Sequence, residues 1–270
     1  MLGKLLKHEF KATGRIFLPA YIAVIALGVV GFIVTRINTA AVGFPAWITV
    51  VAITLFVGVV IATFVLTFVV SIQRFYKNLL GNEGYLMFTL PVKQSDLILA
   101  KLIPAAVWEI VSGLVATASA GLIALGAARP QYWQSPAWIS FKQGLGEGLR
   151  MVSQHYLVSA FEVVIYLILA VFSSILLLYA SMAIGQLVNK NRILLSIGAW
   201  FGITTVLQII GSILAVLVQG LSGFISGLSA SSVPMIVALL CGAAIVVELI
   251  LCAAYFFTAN AILSKRLNLA

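Results

Sequence analysis

Three glutamates stand inside long apolar runs of this sequence: Glu109, Glu162 and Glu248. A carboxylate in hydrocarbon is costly, so it turns toward protein or a water-filled cavity and is by default a functional candidate. Two kinds of chemistry fit. The carboxylates could line a path for a cationic substrate, since no basic residue lies at comparable depth to neutralise them. They could also exchange protons or ions. The competing reading is structural: protonated, hydrogen-bonded glutamates that fix helix packing, with Gln208 or a Ser/Thr hydroxyl as partner.

Other reactive groups are sparse. The two histidines, His8 and His155, lie far apart in the sequence, and neither belongs to an H-E-x-x-H pattern. Cys241 and Cys252 share one apolar run. At about 1.5 Å rise per residue they stand roughly 16 Å apart on a helix, too far for a disulfide. No metal-ligand spacing and no catalytic residues are predicted. The G-x-x-x-x-G-K-[ST] phosphate loop is also missing, so by that route this chain would not hydrolyse ATP itself.

The elements that must position the glutamates follow from composition. The chain is 63% hydrophobic and 9% charged, with mean hydropathy +1.17. That is too little charge to cover a water-soluble surface, which excludes a soluble enzyme, a nucleic-acid-binding protein and a disordered chain. A bilayer core needs about 20 mostly apolar residues per helix. Six runs qualify: Phe17–Thr35, Trp47–Ile72, Leu97–Ala127, Tyr156–Leu187, Ile193–Val218 and Val233–Leu263. The prediction is an all-α polytopic membrane protein, one transmembrane domain over residues 1–270. It comprises an amphipathic surface helix (1–16), a six-span bundle (17–263) and a tail (264–270). Glu109 then falls about 13 Å from the inner end of the third span, near the midplane. Glu248 is also deep, and Glu162 lies in the outer part of the fourth span. The apolar run after the basic start is too long for a secretory signal peptide, and no small-residue cleavage pattern closes it.

Charge orients the bundle. The formal net charge is +9. Twelve basic residues fall on one side: Lys4, Lys7, Lys11, Arg15, Arg74, Lys77, Lys93, Lys101, Lys190, Arg192, Lys265 and Arg266. Only Arg36, Arg129, Lys142 and Arg150 fall on the other. The positive-inside rule places both termini in the cytoplasm of a cell membrane, with the basic clusters facing anionic lipid.

The connections carry further signals. Before the first span, Leu2, Leu5, Leu6 and Phe10 share one arc of a helical wheel, with Lys4, Lys7, His8, Lys11 and Arg15 opposite. This predicts a basic amphipathic helix on the inner surface, with Gly14 and Pro19 allowing a turn into the span. Glu9 sits on the apolar arc and calls for a donor from a protein neighbour. The outer connection Ala128–His155 holds Tyr132, Trp133 and Trp138, aromatics suited to the membrane boundary. The apolar Gly/Ser-rich segment Gln219–Ser232 reads equally as a re-entrant hairpin or a flexible loop.

The cytoplasmic connection Gln73–Asp96 is the most informative. Gly81 and Gly84 bracket Asn82-Glu83, a turn with a carboxylate near the start of a short helix, where the helix dipole favours negative charge. Tyr85, Leu86, Phe88 and Leu90 follow, and Pro91 ends the apolar stretch. Such an element docks on a partner or packs against the protein's own helix ends.

The stretch Asn82–Lys93, NEGYLMFTLPVK, resembles the coupling segment of permeases in the type-2 export family of ATP-binding-cassette transporters. Ala183–Lys190, AIGQLVNK, is similar to the same family, particularly its small six-span members from Gram-positive bacteria. The resemblance implies a permease subunit that pairs with a second permease subunit and with a separate cytoplasmic ATPase, which would hold ATP and Mg. It implies Glu83, Tyr85, Phe88, Leu90 and Pro91 as ATPase contacts, with the basic face Lys4, Lys7, Lys11 and Arg15 beside them. The implied activity is export of a peptide, lipid-like or drug-like substrate. The alternatives are a secondary carrier or channel using the intramembrane glutamates, or a membrane immunity or sensor protein.

Overall fold

The computed structural model describes residues 2–40, 45–80, 93–128, 136–188, 191–225 and 233–265. Every element among them is helical: α1 (Leu2–Ala40), α2 (Ala46–Phe75), α3 (Gln94–Ala127), α4 (Pro136–His155), α5 (Leu157–Gly185), α6 (Arg192–Ile225) and α7 (Val233–Lys265). A π-helical turn, Tyr76–Leu80, extends α2. All except α4 are long and apolar enough to cross a membrane, so the chain is a multi-pass membrane protein. The six spans read from hydropathy fall on these six helices, with different ends: α1 begins well before Phe17, α6 runs on past Val218, and α5 is slightly shorter than Tyr156–Leu187. The segment Gln219–Ser232 falls partly in α6, and residues 226–232 lie outside the described residues.

One expectation is corrected. The basic segment 1–16 does not form a helix of its own that turns at Gly14 or Pro19; Leu2–Ala40 is a single helix. Its 39 residues would span about 58 Å, nearly twice a bilayer core. Pro19 is tolerated because it removes one backbone donor, a loss that neighbouring groups make good in membrane helices. The segregation of the segment survives: Lys4, Lys7, Lys11 and Arg15 are exposed, while Leu2, Leu5, Leu6 and Phe10 are half-buried.

The chain forms two compact units, residues 1–71 with 99–149, and residues 72–98 with 150–270. In the first, α1 buries a stripe at helical spacing: Thr13, Phe17, Tyr21, Val24, Gly28, Gly31 and Thr35. It faces α3 in parallel, since successive contacts climb both helices together: Thr13 with Trp108, Tyr21 with Ser112, Gly28 with Ser119, Thr35 with Ile123. Gly28 permits the approach. A Cβ there would stand 2.8 Å from Ser119 Cβ and 3.3 Å from its Cα, the small-residue packing by which membrane helices associate.

In the second unit, α5 packs along α7 and, near its C-terminal end, on α6. Contacts between α5 and α7 also climb together, Glu162 beside Gly242 and Leu169 beside Cys252. The core lies toward the C-terminal half of α5, where Ile175, Leu176, Tyr179, Ala180 and Ala183 are buried. Phe75 stacks on Tyr179, with ring centroids 3.9 Å apart and planes 10° apart.

Hydropathy reading missed α4. It starts at Pro136, the first helical position that proline favours, and a single residue, Tyr156, separates it from α5.

Candidate functional site

The expected ATPase contacts Glu83, Tyr85, Phe88, Leu90 and Pro91 lie outside the described residues. Their flanks are described. On one side Phe75 and Leu79 are fully buried and Leu80 nearly so; on the other Leu97, Ile98 and Ala100 are buried. The π-helical turn that ends α2 adds a local irregularity of the kind that recurs at functional positions. Both described flanks, 75–80 and 97–100, thus carry buried residues, and residues 72–98 belong to one unit.

Glu9 has the neighbour its position calls for. Its carboxylate pairs with the Lys101 ammonium, the two side chains being 13% and 4% exposed. Lys101 thus sits in protein and does not contribute to a lipid-facing basic surface. One turn further, Thr13 Oγ1 donates to the Glu9 carbonyl (2.7 Å) and accepts from Trp108 Nε1 (2.8 Å). Phe17 stacks on the Trp108 ring at 5.0 Å. Tyr21 donates to the Trp108 carbonyl at 2.9 Å, and Ser112 Oγ lies 2.9 Å from Tyr21 Oη and 3.1 Å from Thr67 Oγ1. This polar ladder ties α1, α2 and α3 together. Sequence reading found its acidic end only; the signal for the rest is Thr13, Phe17, Tyr21 and Trp108, Ser112 recurring at four-residue spacing.

The three glutamates are divided between the two units. Glu109 is half-buried on α3 in the first unit. Glu162 and Glu248 belong to the second unit, on α5 and α7. Gln208 is exposed on α6. Glu162 Oε2 is buried without a hydrogen-bond partner. Its Oε1 lies beside Gly242, 3.6 Å from where a Cβ would stand, an ordinary contact distance. On α7, Glu248, Cys252 and Tyr255 follow at helical spacing. Cys252 Sγ points to the Leu169 carbonyl at 3.8 Å, and the buried Tyr255 hydroxyl has no hydrogen-bond partner. Ser159 and Ser173 are buried on α5. Of the polar groups on α5 and α7, Glu162 Oε2 and the Tyr255 hydroxyl thus keep unused hydrogen-bonding capacity.

The segment AIGQLVNK is described through Val188. Ala183 is fully buried and Gln186 is 4% exposed, its Nε2 lacking a hydrogen-bond partner. Beyond it Asn191 adopts a left-handed φ of 62°. A surface groove of ≈ 620 Å³ is lined by Tyr76, Asn191, Arg192, Ile193, Leu194 and Ile197.

Among the described residues, no three His, Cys, Asp or Glu side chains converge as metal ligands. Comparison of the chain with family models, with curated proteins and with solved structures finds no match.

Proposed function

We propose that this chain is the membrane-spanning subunit of an ATP-driven exporter, working with a second permease subunit and a separate cytoplasmic ATPase. One observation carries the reading: the aromatic, apolar segment NEGYLMFTLPVK, bounded on both sides by buried residues of two membrane helices. A connection whose flanking helix ends are buried transmits a push from a partner into the helices it joins, which is how a rigid-body change of access is driven. In this reading both termini are cytoplasmic, Glu83, Tyr85, Phe88, Leu90 and Pro91 meet the ATPase, and Lys4, Lys7, Lys11 and Arg15 face the inner leaflet. The cargo is a peptide, lipid-like or drug-like compound, and Glu162 with Glu248 offers it a polar strip.

The test is purification from the native membrane in mild detergent, with assay for Mg-dependent ATP hydrolysis and identification of a phosphate-loop ATPase. Replacing Tyr85 and Phe88 with Ala abolishes co-purified ATPase activity and leaves insertion intact, since no span is altered. Unchanged association would remove this docking segment. Label reaching Ser264→Cys from outside intact cells, in a background lacking Cys241 and Cys252, would reverse the orientation.

A second reading, a secondary carrier, is favoured by the buried, unpartnered Glu162 Oε2. Transport into vesicles that needs an ion gradient and ignores ATP would establish it over the first.

A further inference from the structure

α4 has no place in the reading above. It is 20 residues long, not among the six spans, and joined to α5 through Tyr156 alone. Helical bonding is nearly continuous across that joint: Tyr156 N–H donates to the Val152 carbonyl at 3.1 Å, and Ala160 N–H donates to the Tyr156 carbonyl at 2.9 Å. The C-terminal end of α4 therefore stands at the boundary where α5 enters the membrane, and Leu157, Val158 and Phe161, the first exposed apolar residues of that span, follow at once.

The helical register of α4 places Trp138, Phe141, Leu145, Leu149 and Val152 within an arc of about 80°. Opposite them fall Ser140, Gln143, Glu147 and Arg150, with Lys142 at the edge of the apolar arc; all five of these polar residues are exposed. Only Ile139 and Met151 depart from the division. Val152, inside the apolar arc, is 36% exposed, so the chain leaves that part of the stripe uncovered. Gly144, Gly146 and Gly148 weaken the intrinsic helicity of this segment. A short glycine-bearing helix holds in water only when its apolar face is covered.

We propose that α4 is an interfacial helix, its apolar stripe laid into the headgroup–acyl boundary of the leaflet where α3 ends and α5 begins. Three features point to lipid as the occupant: the single-residue joint to a membrane span, a tryptophan in the stripe's first turn, and a lysine at the stripe's edge. Tryptophan favours the headgroup level, and a lysine stem lies along apolar surface while its ammonium meets phosphate. Glu147 is held on the water side. The helix thereby fixes the depth and rotation of α5, the helix that carries Glu162.

The experiment uses the full chain with Cys241 and Cys252 replaced by Ala, in vesicles of phosphatidylethanolamine and phosphatidylglycerol at high lipid-to-protein ratio. Spin labels at Leu145→Cys, Val152→Cys and Glu147→Cys are exposed in turn to oxygen, which partitions into lipid, and to a water-soluble nickel chelate. Oxygen should dominate several-fold at the first two positions and the chelate at the third. Val152 and Glu147 are already exposed, so those two variants fold and keep the test decisive if Leu145→Cys does not. Equal chelate access at Val152→Cys and Glu147→Cys would mean a helix standing in water and overturn the proposal. Protection of Val152→Cys from both relaxants, or dipolar broadening that persists on dilution with lipid, would mean cover by protein or by a second copy and overturn it equally.

Discussion

The α1–α3 contact and the α5–α7 contact are built alike and finished differently. Both are parallel pairs of membrane helices, the first drawn together at Gly28. Along the first, Glu9, Thr13, Tyr21, Trp108 and Ser112 each have a partner. Along the second, Glu162 Oε2 and the Tyr255 hydroxyl are buried with none. An unmade hydrogen bond on a buried group costs far more than a made one gains. The first contact is therefore a joint whose polar groups hold it shut. The second carries polar groups at a cost, the mark of a surface that completes itself with something other than the chain.

The largest effect expected from this difference comes from breaking the joint. Lys101→Met takes the ammonium away from the largely buried Glu9 carboxylate, and removal of one partner of a buried pair costs about 3–5 kcal/mol. Thermal unfolding in detergent should fall accordingly. Replacing both, Glu9→Leu with Lys101→Met, should recover most of the loss, because the desolvation cost of the pair goes with its charges. A Lys101→Met protein that unfolds within about 1 kcal/mol of wild type would show that the joint is not held by this pair.

A smaller effect sharpens the same contact. Gly28→Ala puts a methyl 2.8 Å from Ser119 Cβ, and relief requires the two helices to part. Overpacking of this kind costs about 1–3 kcal/mol. The same unfolding assay reads it, and the loss should not add to that of Lys101→Met if parting α1 from α3 also opens the ion pair.

How much of this was legible beforehand follows the range of each interaction. The six spans were legible because each is a local property of about 20 residues. That Glu9 needed a neighbour was legible from its place on an apolar arc; that the neighbour is Lys101, 92 residues away, was not, because pairing across helices leaves no periodic trace. The turn expected at Gly14 and Pro19 fails for a related reason. Intrinsic propensity opposes helix there, while the buried stripe from Thr13 through Thr35 and the bonds to Trp108 hold it straight through. In α4 the apolar positions recur at three- and four-residue spacing, but three glycines in five residues make the segment read as a connection. Of the glutamates, depth was legible, and assembly was not: only Glu162 and Glu248 share a unit.

The smallest expected change in stability is the most telling for function. Glu162→Leu removes a buried carboxylate oxygen that has no partner, and with it a desolvation cost of about 1–3 kcal/mol for such a group. Part of that gain is offset because the branched Leu must repack in a space shaped for a longer, unbranched side chain. Stability should therefore stay level or rise by up to about 1 kcal/mol, opposite in sign to the effect at Lys101. Glu162→Gln, which keeps shape and loses charge, should leave unfolding unchanged. Transport separates the two roles left for the carboxylate. As part of a polar strip for a cationic cargo or a coupled ion, Glu162 cannot be replaced by either residue without loss of transport in ATP-loaded vesicles, although both variants fold. A fall in stability with Glu162→Leu would instead reveal a partner for the carboxylate and make the α5–α7 contact a closed joint like its counterpart. Unimpaired transport by Glu162→Gln would take the carboxylate's charge out of the mechanism and leave Glu248 as the acidic group to test on that strip.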